Sequence, residues 1–406
     1  MDKQYSSSPQ DHIISSPLSK KKSNTKKTQT SEKMGSNTED ARARVQRAYH
    51  DIGDPVFSAA EFTLIKVFID YKGFDAIPDE GDISVADLAA KIGGTHEVID
   101  RMTTFFISGK VLASTGPGRV AHTERSRLYK YDEPTAWLYI HMFNNVFRSF
   151  AQMPNFFQKN GLASPQSASV TPLGLSHGFE NRPAYEILVE NKVVHKGFNE
   201  ALKALGVMYS LKGIYDFGWL REPLAAGPSR AAIVDIGGSH GLALRDAIRN
   251  NSFLPAERCV LFDLPQVIEN TKKNVKKEQD EDLQKIQMIS GSMFEPYPES
   301  VKGALIYQFR RILNDFPDED VLRAFHNVRK AVAPDSRILI IEEMLNPKRI
   351  PMNVGLDICL MCAAGKRRNA AMFSELAAQA GFKLNAEFQQ IAGEFDDFGV
   401  LEFVLA

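Results

Sequence analysis

The sequence predicts an α/β protein: a doubly wound, largely parallel sheet in the C-terminal part, preceded by a helical region with a winged-helix layout. From Ala231 onward, short apolar, β-branched runs alternate with helix-like stretches, the pattern of strands joined by crossover helices. One of these runs enters the Gly-rich turn Gly237-Gly238-Ser239-His240-Gly241. Before residue 215, apolar residues recur at helical spacing, interrupted by two strand-like runs around Gly116-Pro117-Gly118.

A chain of 406 residues exceeds the size at which one core usually keeps growing. Three parts are expected: a Lys/Ser-rich tail over 1–37, a helical winged-helix domain for dimerisation and substrate cover over 38–215, and a cofactor-binding domain over 216–406. The tail carries seven lysines through Lys33 against Asp2, Asp11 and Glu32, and its scarcity of apolar residues predicts disorder. The cluster Lys20 to Lys27 has the composition of a nuclear address. No apolar segment follows these charges as in a secretory signal, and no run is long enough to span a bilayer.

A net charge of −1 gives no global argument for nucleic acid or membrane, so a small-molecule partner is expected. The three cysteines, Cys259, Cys359 and Cys362, lie in apolar runs. They read as packed thiols of a reducing, cytoplasmic compartment, with no metal site.

Residues 38–70 show helical spacing of Val45, Tyr49, Phe57, Phe62, Ile65 and Phe68. Two helices separated by Gly93-Gly94, then two strands, complete the winged-helix pattern. The second helix, from about Thr95, is rich in Met102, Phe105, Phe106 and Ile107 and poor in base-reading side chains. It suits packing or dimerisation better than DNA. A later helix is unusually aromatic, with Trp137, Tyr139, Phe143, Phe147 and Phe150 around His141. A histidine in such a stripe is either a hydrogen-bonded core residue or a site residue.

The glycine turn does not satisfy GxGxxG. Its strand ends in Asp235, a carboxylate that suits the α-ammonium of a cofactor carrying an amino acid. The next strand ends at Asp263, where a carboxylate can accept from both ribose hydroxyls. Together these point to S-adenosylmethionine (SAM).

The segments "VDIGGSHG", "LFDLPQVI", "GSMFEPYP", "YQFRRILNDFPDEDVLRAFHNVRKAVAPDSRILIIEEMLNP" and "GKRRNAAMFSELAAQAGF" resemble, in order and spacing, the small-molecule O-methyltransferases of the plant caffeate and fungal secondary-metabolite type. The likeness covers about residues 40–406. It implies a Rossmann-like SAM-dependent methyltransferase domain and a homodimer. It also implies that Gly237, Gly238 and Gly241 line SAM, that Asp263 and Leu264 hold its ribose and adenine, that Met293 and Phe294 flank the adenine, and that Arg310 stands near the cofactor.

The departures from that pattern concern the chemistry. Where the family has "LHDWPDE" with His as base, this chain reads Leu313-Asn314-Asp315-Phe316-Pro317, and a carboxamide has no basic lone pair near neutrality. Of the two glutamates that flank the family's His, Glu342 remains while Arg367 replaces the other, and Ser292 replaces the aspartate of "GDMF". This combination resembles the fungal SAM-dependent pericyclases, which dehydrate a pyridone alcohol and steer the quinone methide with SAM unconsumed. That resemblance implies roles for Arg310 and His141. Arg310 or Arg311, with His141, would polarise a substrate carbonyl, and Phe143, Phe147 and Phe150 would wall the pocket. Asp315 completes the set of candidate catalytic residues. The alternatives are a salt bridge from Arg311 to Asp315 or Asp318, a helix-capping role for Asn314, an O-methyltransferase acting on an acidic hydroxyl, and a SAM-sensing scaffold without turnover.

Overall fold

The computed structural model describes residues 28–190, 192–206, 209–227, 229–345, 351–389 and 397–406. The tail up to residue 27, with its lysine cluster, lies outside them. Two compact units are present, one ending at Glu61 and the other running from Phe62 to Ala406. Thr28–Asp70 is one helix with Pro55 inside it, where the sequence suggested helices from Thr38. In the first unit Val45, Tyr49, Ile52 and Val56 follow one another at four, three and four residues and are all exposed.

In the second unit, strand β1 (Ile83–Ser84) precedes the helices Val85–Ile92 and His96–Ser108, and β2 (Leu112–Gly116) and β3 (Arg119–His122) follow them. The three strands form an antiparallel sheet in the order β1-β3-β2. Ser84 and Thr95 cap the two helices through their side chains, as short hydroxyl residues do at N-termini. The His96–Ser108 helix buries Ile99, Thr103 and Phe106.

The main sheet uses β4 (Ile233–Ile236), β5 (Cys259–Asp263), β6 (Gln287–Ser290), β7 (Ile306–Arg310), β8 (Arg337–Glu343), β9 (Phe382–Gln389) and β10 (Phe398–Leu405). Its order is β6-β5-β4-β7-β8-β10-β9. Strands β4 to β8 pair in parallel, while β10 runs antiparallel to both β8 and β9. Every residue of β4 is buried, in keeping with its apolar Ile233, Val234 and Ile236, and Asp235 is the one charged residue in it. Order reverses at β4, so the carboxyl ends of β4, β5, β7 and β8 gather Asp235, Asp263, Arg310 and Glu342 at one edge, where such sheets bind ligands.

Candidate active site

Between β4 and the helix Leu242–Asn250, Gly237 (φ 68°), Ser239 (φ 52°) and Gly241 (φ 73°) are all left-handed, a conformation that side chains resist. A Cβ on Gly237 would stand 2.1 Å from Ile312 Cδ1, and one on Gly238 2.2 Å from Asp235 Oδ2. The turn is therefore pressed onto the protein's own atoms on one face. Asp235 lies beneath it at 0% exposure, off the open cleft wall where direct contact with a cofactor was expected. Both its carboxylate oxygens are buried without a partner among the described residues. Burial raises its carboxyl to about 6, against Gln308 and Arg310, which favour the charge.

Asp263 ends β5 with one oxygen accepting from the Ser239 N–H at 2.8 Å and the other from the Leu264 N–H at 2.7 Å. Each oxygen keeps a second lone pair for a hydroxyl. Burial still raises this carboxyl. Tyr185, on the helix Ala184–Glu190, feels the same group. Its hydroxyl is pushed up to about 12 by burial and then by the Asp263 charge. Sequence reading missed Tyr185, since nothing in "NRPAYEIL" marks its tyrosine as lying close to Asp263.

Met293 is buried in the sheet core, and its carbonyl accepts from Asn327 Nδ2 at 3.2 Å. Phe294 is half-buried, with Phe316 edge-on at 5.1 Å and the Arg323 guanidinium 4.3 Å over its ring. Ser292 Oγ accepts from the Phe294 N–H at 3.2 Å and shapes the turn between them.

At the end of β7, Arg310 donates to the Tyr209 carbonyl. Burial depresses its pKa while Asp235 and Asp246 support the charge. Arg311 sits at φ 52° and lays its guanidinium 4.1 Å over the Tyr209 ring. The alternative of a salt bridge to Asp315 or Asp318 is not formed among the described residues; Asp318 pairs instead with Lys366 at 2.5 Å and Arg368 at 2.7 Å. Asp315 is exposed to water though set deep among protein atoms. Burial raises its carboxyl to about 6, opposed by Arg311 and reinforced by Glu343, and its side chain makes no hydrogen bond among the described residues.

Asn314, 4% exposed, caps no helix; the N-cap of Asp318–Arg329 is Pro317. Its Nδ2 donates at 3.2 Å to both Glu342 Oε2 and the Glu343 carbonyl, while Oδ1 is buried without a partner among the described residues. Glu342 Oε1 accepts from the Ile312 and Asn314 N–H groups at 2.9 and 3.2 Å. Burial, then the Asp315 charge, raises the Glu342 carboxyl to about 8 despite these bonds and Arg311. Arg367, 2% exposed, reaches Glu343 Oε2 at 3.2 Å and Asp397 Oδ2 at 2.6 Å. Glu343 also accepts from the Tyr209 hydroxyl. Tyr209, Glu343 and Asp397 were missed because their roles depend on partners far away in the chain.

His141 ends the helix Pro134–His141, where a π-helical turn, Met142–Phe147, begins. Such turns are frequent at functional sites. Asn145 Nδ2 lies 2.8 Å from His141 Nδ1, and the Phe198 ring is 5.4 Å away. Burial lowers His141 to about 4. The ring is therefore neutral near pH 7, and an amide donor on Nδ1 places its proton on Nε2. Phe143 and Phe147 pack with Phe62, whereas Phe150 is 37% exposed. No contact joins His141 to Arg310, Arg311, Asn314 or Asp315 among the described residues. The helix Lys192–Gly206 links the two regions: its Gly197 abuts Ile140 and its Gly206 abuts Leu242, nine residues apart or about 13 Å along the axis.

Residues 184–383 match the O-methyltransferase domain. The methyltransferase phm5 of Pyrenochaetopsis is 40% identical over 91% of this chain and 99% of its own length. The chain belongs to the O-methyltransferase family. Methyltransferase eqxD of Fusarium heterosporum is 36% identical over 81% of this chain and 89% of its own. Among solved structures, LepI in complex with SAM (TM-score 0.74, 22% identity, 91% and 94% coverage) shares the fold. So does OxaC in complex with SAH and oxaline (0.78, 23%, 91% and 91%). The cofactor of this methyltransferase-family chain is SAM, and residues at the carboxyl ends of β4 and β5 fit that group: the left-handed glycine turn and the free lone pairs of Asp263.

Proposed function

We propose that the protein methylates a small fungal secondary metabolite whose accepting atom is already acidic, without a histidine base. SAM, when bound, supplies an electrophilic methyl group. The observation that carries the reading is the Asn314 carboxamide at the base position, donating to Glu342 and to the Glu343 carbonyl. It can take no proton, and Glu342 serves as a strut for the turn. Asp315 remains as a proton acceptor, and its acidity lets it act only on a group that ionises readily. The named methyltransferases at 36–40% identity support transfer over retention of the methyl group.

A second reading, SAM-dependent pericyclase activity on a pyridone alcohol, is favoured by one observation. The neutral His141 Nε2–H beside an aromatic cluster is a hydrogen-bond donor suited to a carbonyl, and a pericyclic step needs no base. Incubating the protein with methyl-labelled SAM and an acidic cyclic 1,3-dione or a pyridone alcohol decides between them. Label in the acceptor with formation of SAH supports methylation. Rearranged product with all SAM recovered overturns it in favour of the second reading.

The assembly we infer is a homodimer. The exposed stripe Val45, Tyr49, Ile52 and Val56 has the spacing of a helix seam, and sedimentation of the full chain tests it.

A further inference from the structure

We propose that Arg311 is the anion-holding group of the acceptor pocket and that its ligand is a planar, delocalised oxyanion, an enolate of the 1,3-dicarbonyl type. Arg311 is a bulky residue at φ 52°, a conformation such residues keep only where surrounding structure enforces it, most often at functional sites. The enforcement is visible. Its N–H donates to the Ile341 carbonyl at 2.8 Å, and the next N–H, of Ile312, is held by Glu342 Oε1 at 2.9 Å. This turn lays the guanidinium over Tyr209 at 4.1 Å.

The Tyr209 ring is itself positioned. Its hydroxyl donates to Glu343, Glu343 is paired with Arg367, and Arg367 is paired with Asp397 at 2.6 Å while its N–H is held by Asp357 Oδ1 at 2.6 Å. Arg367, standing where the family has a glutamate, thus acts as a positioning residue. The nearby carboxylates leave Arg311 unpaired among the described residues: Asp318 holds Lys366 and Arg368, Glu343 holds Arg367 and Tyr209, and no Asp315 oxygen is within ion-pair reach. A half-buried, stacked guanidinium offers its edge N–H groups as a planar fork, which matches two coplanar oxygens sharing one charge. A bound enolate is also already deprotonated, which accounts for a pocket without a histidine.

The inference rests on the proposed methylation for its meaning but not for its test, which measures binding alone. The full chain, saturated with SAH, is titrated at pH 8 by calorimetry with 4-hydroxycoumarin, an acidic enol, and with coumarin, its neutral counterpart. The expected result is at least tenfold tighter binding of the enolate. Arg311→Gln removes that preference while coumarin and SAH affinities hold. Tyr209→Leu weakens the preference more than Tyr209→Phe, which keeps the ring. Arg367→Ala weakens it and Arg367→Lys restores part of it. Equal binding of both probes, no enolate binding by the wild type, or a preference that survives Arg311→Gln overturns the proposal. Absence of methyl transfer to these probes would count against the proposed function and leave the binding result standing.

Discussion

The Asn314 amide group donates to Glu342 Oε2 at 3.2 Å, while the Asn314 N–H donates to Oε1 of the same carboxyl at 3.2 Å. One buried glutamate thus holds both the backbone and the side chain of the residue at the family's base position. Asn314→Ala leaves Glu342 Oε2 without its side-chain donor, and a loss of about 1–3 kcal/mol is expected in chemical denaturation. Asn314→His should leave SAH formation on an acidic enol nearly unchanged; a rise of about 10² would show that a missing base limited the reaction.

Glu342 should make stability fall with rising pH. Its folded value of about 8 exceeds the ordinary 4.5, so above pH 4.5 the unfolded chain gives up a proton that the folded one retains. The associated stability is full below pH 4.5 and is lost progressively up to about pH 8. Denaturation midpoints across this range should decline less for Glu342→Gln than for the wild type.

His141 works in the opposite direction. Its folded value of about 4 lies below the ordinary 6.5, so the unfolded chain binds a proton first as pH falls. Stability is lost from pH 6.5 down to about 4, and His141→Asn should flatten that acid limb in thermal melts. Activity near neutrality should show no inflection from His141 titration.

Arg367→Ala strands Glu343 and Asp397 without their shared cation, at a cost of about 3–5 kcal/mol. Arg367→Glu, which restores the family residue, should be worse still, because it gathers three carboxylates. Thermal melting of the two variants beside the wild type checks the order.

Gly238→Ala forces a methyl group to within 2.2 Å of Asp235 Oδ2. Calorimetry with SAH should show affinity reduced about tenfold or more, equivalent to 1.4 kcal/mol.

The sheet was legible because β4, β5, β7 and β8 are dominated by buried apolar residues, and the glycine turn declares a backbone conformation that few other residues accept. Asn314 was legible as a substitution within an ordered motif. Partnerships were harder. Arg311 was matched with acids four and seven positions away, yet Asp318 takes cations 48 and 50 residues downstream. Arg367 could be recognised as a replacement, but Asp397, 30 residues on, becomes its partner only when β10 lies beside β8. The segment from Thr38 reads as more than one helix, whereas Thr28–Asp70 is a single helix with Pro55 inside it; proline removes one N–H donor, a local loss that the continuing helix tolerates.

The sheet order β8-β10-β9 bears on how the chain acquires its shape during synthesis. Strand β9 emerges from the ribosome before β10 yet pairs with the sheet only through it, so the hairpin must wait for β10 to arrive. Until then β8 presents an open edge, and Arg367 lacks Asp397. A nascent chain halted before β10 would therefore carry the parallel strands β4 to β8 in place while β8 and Arg367 still wait for their partners.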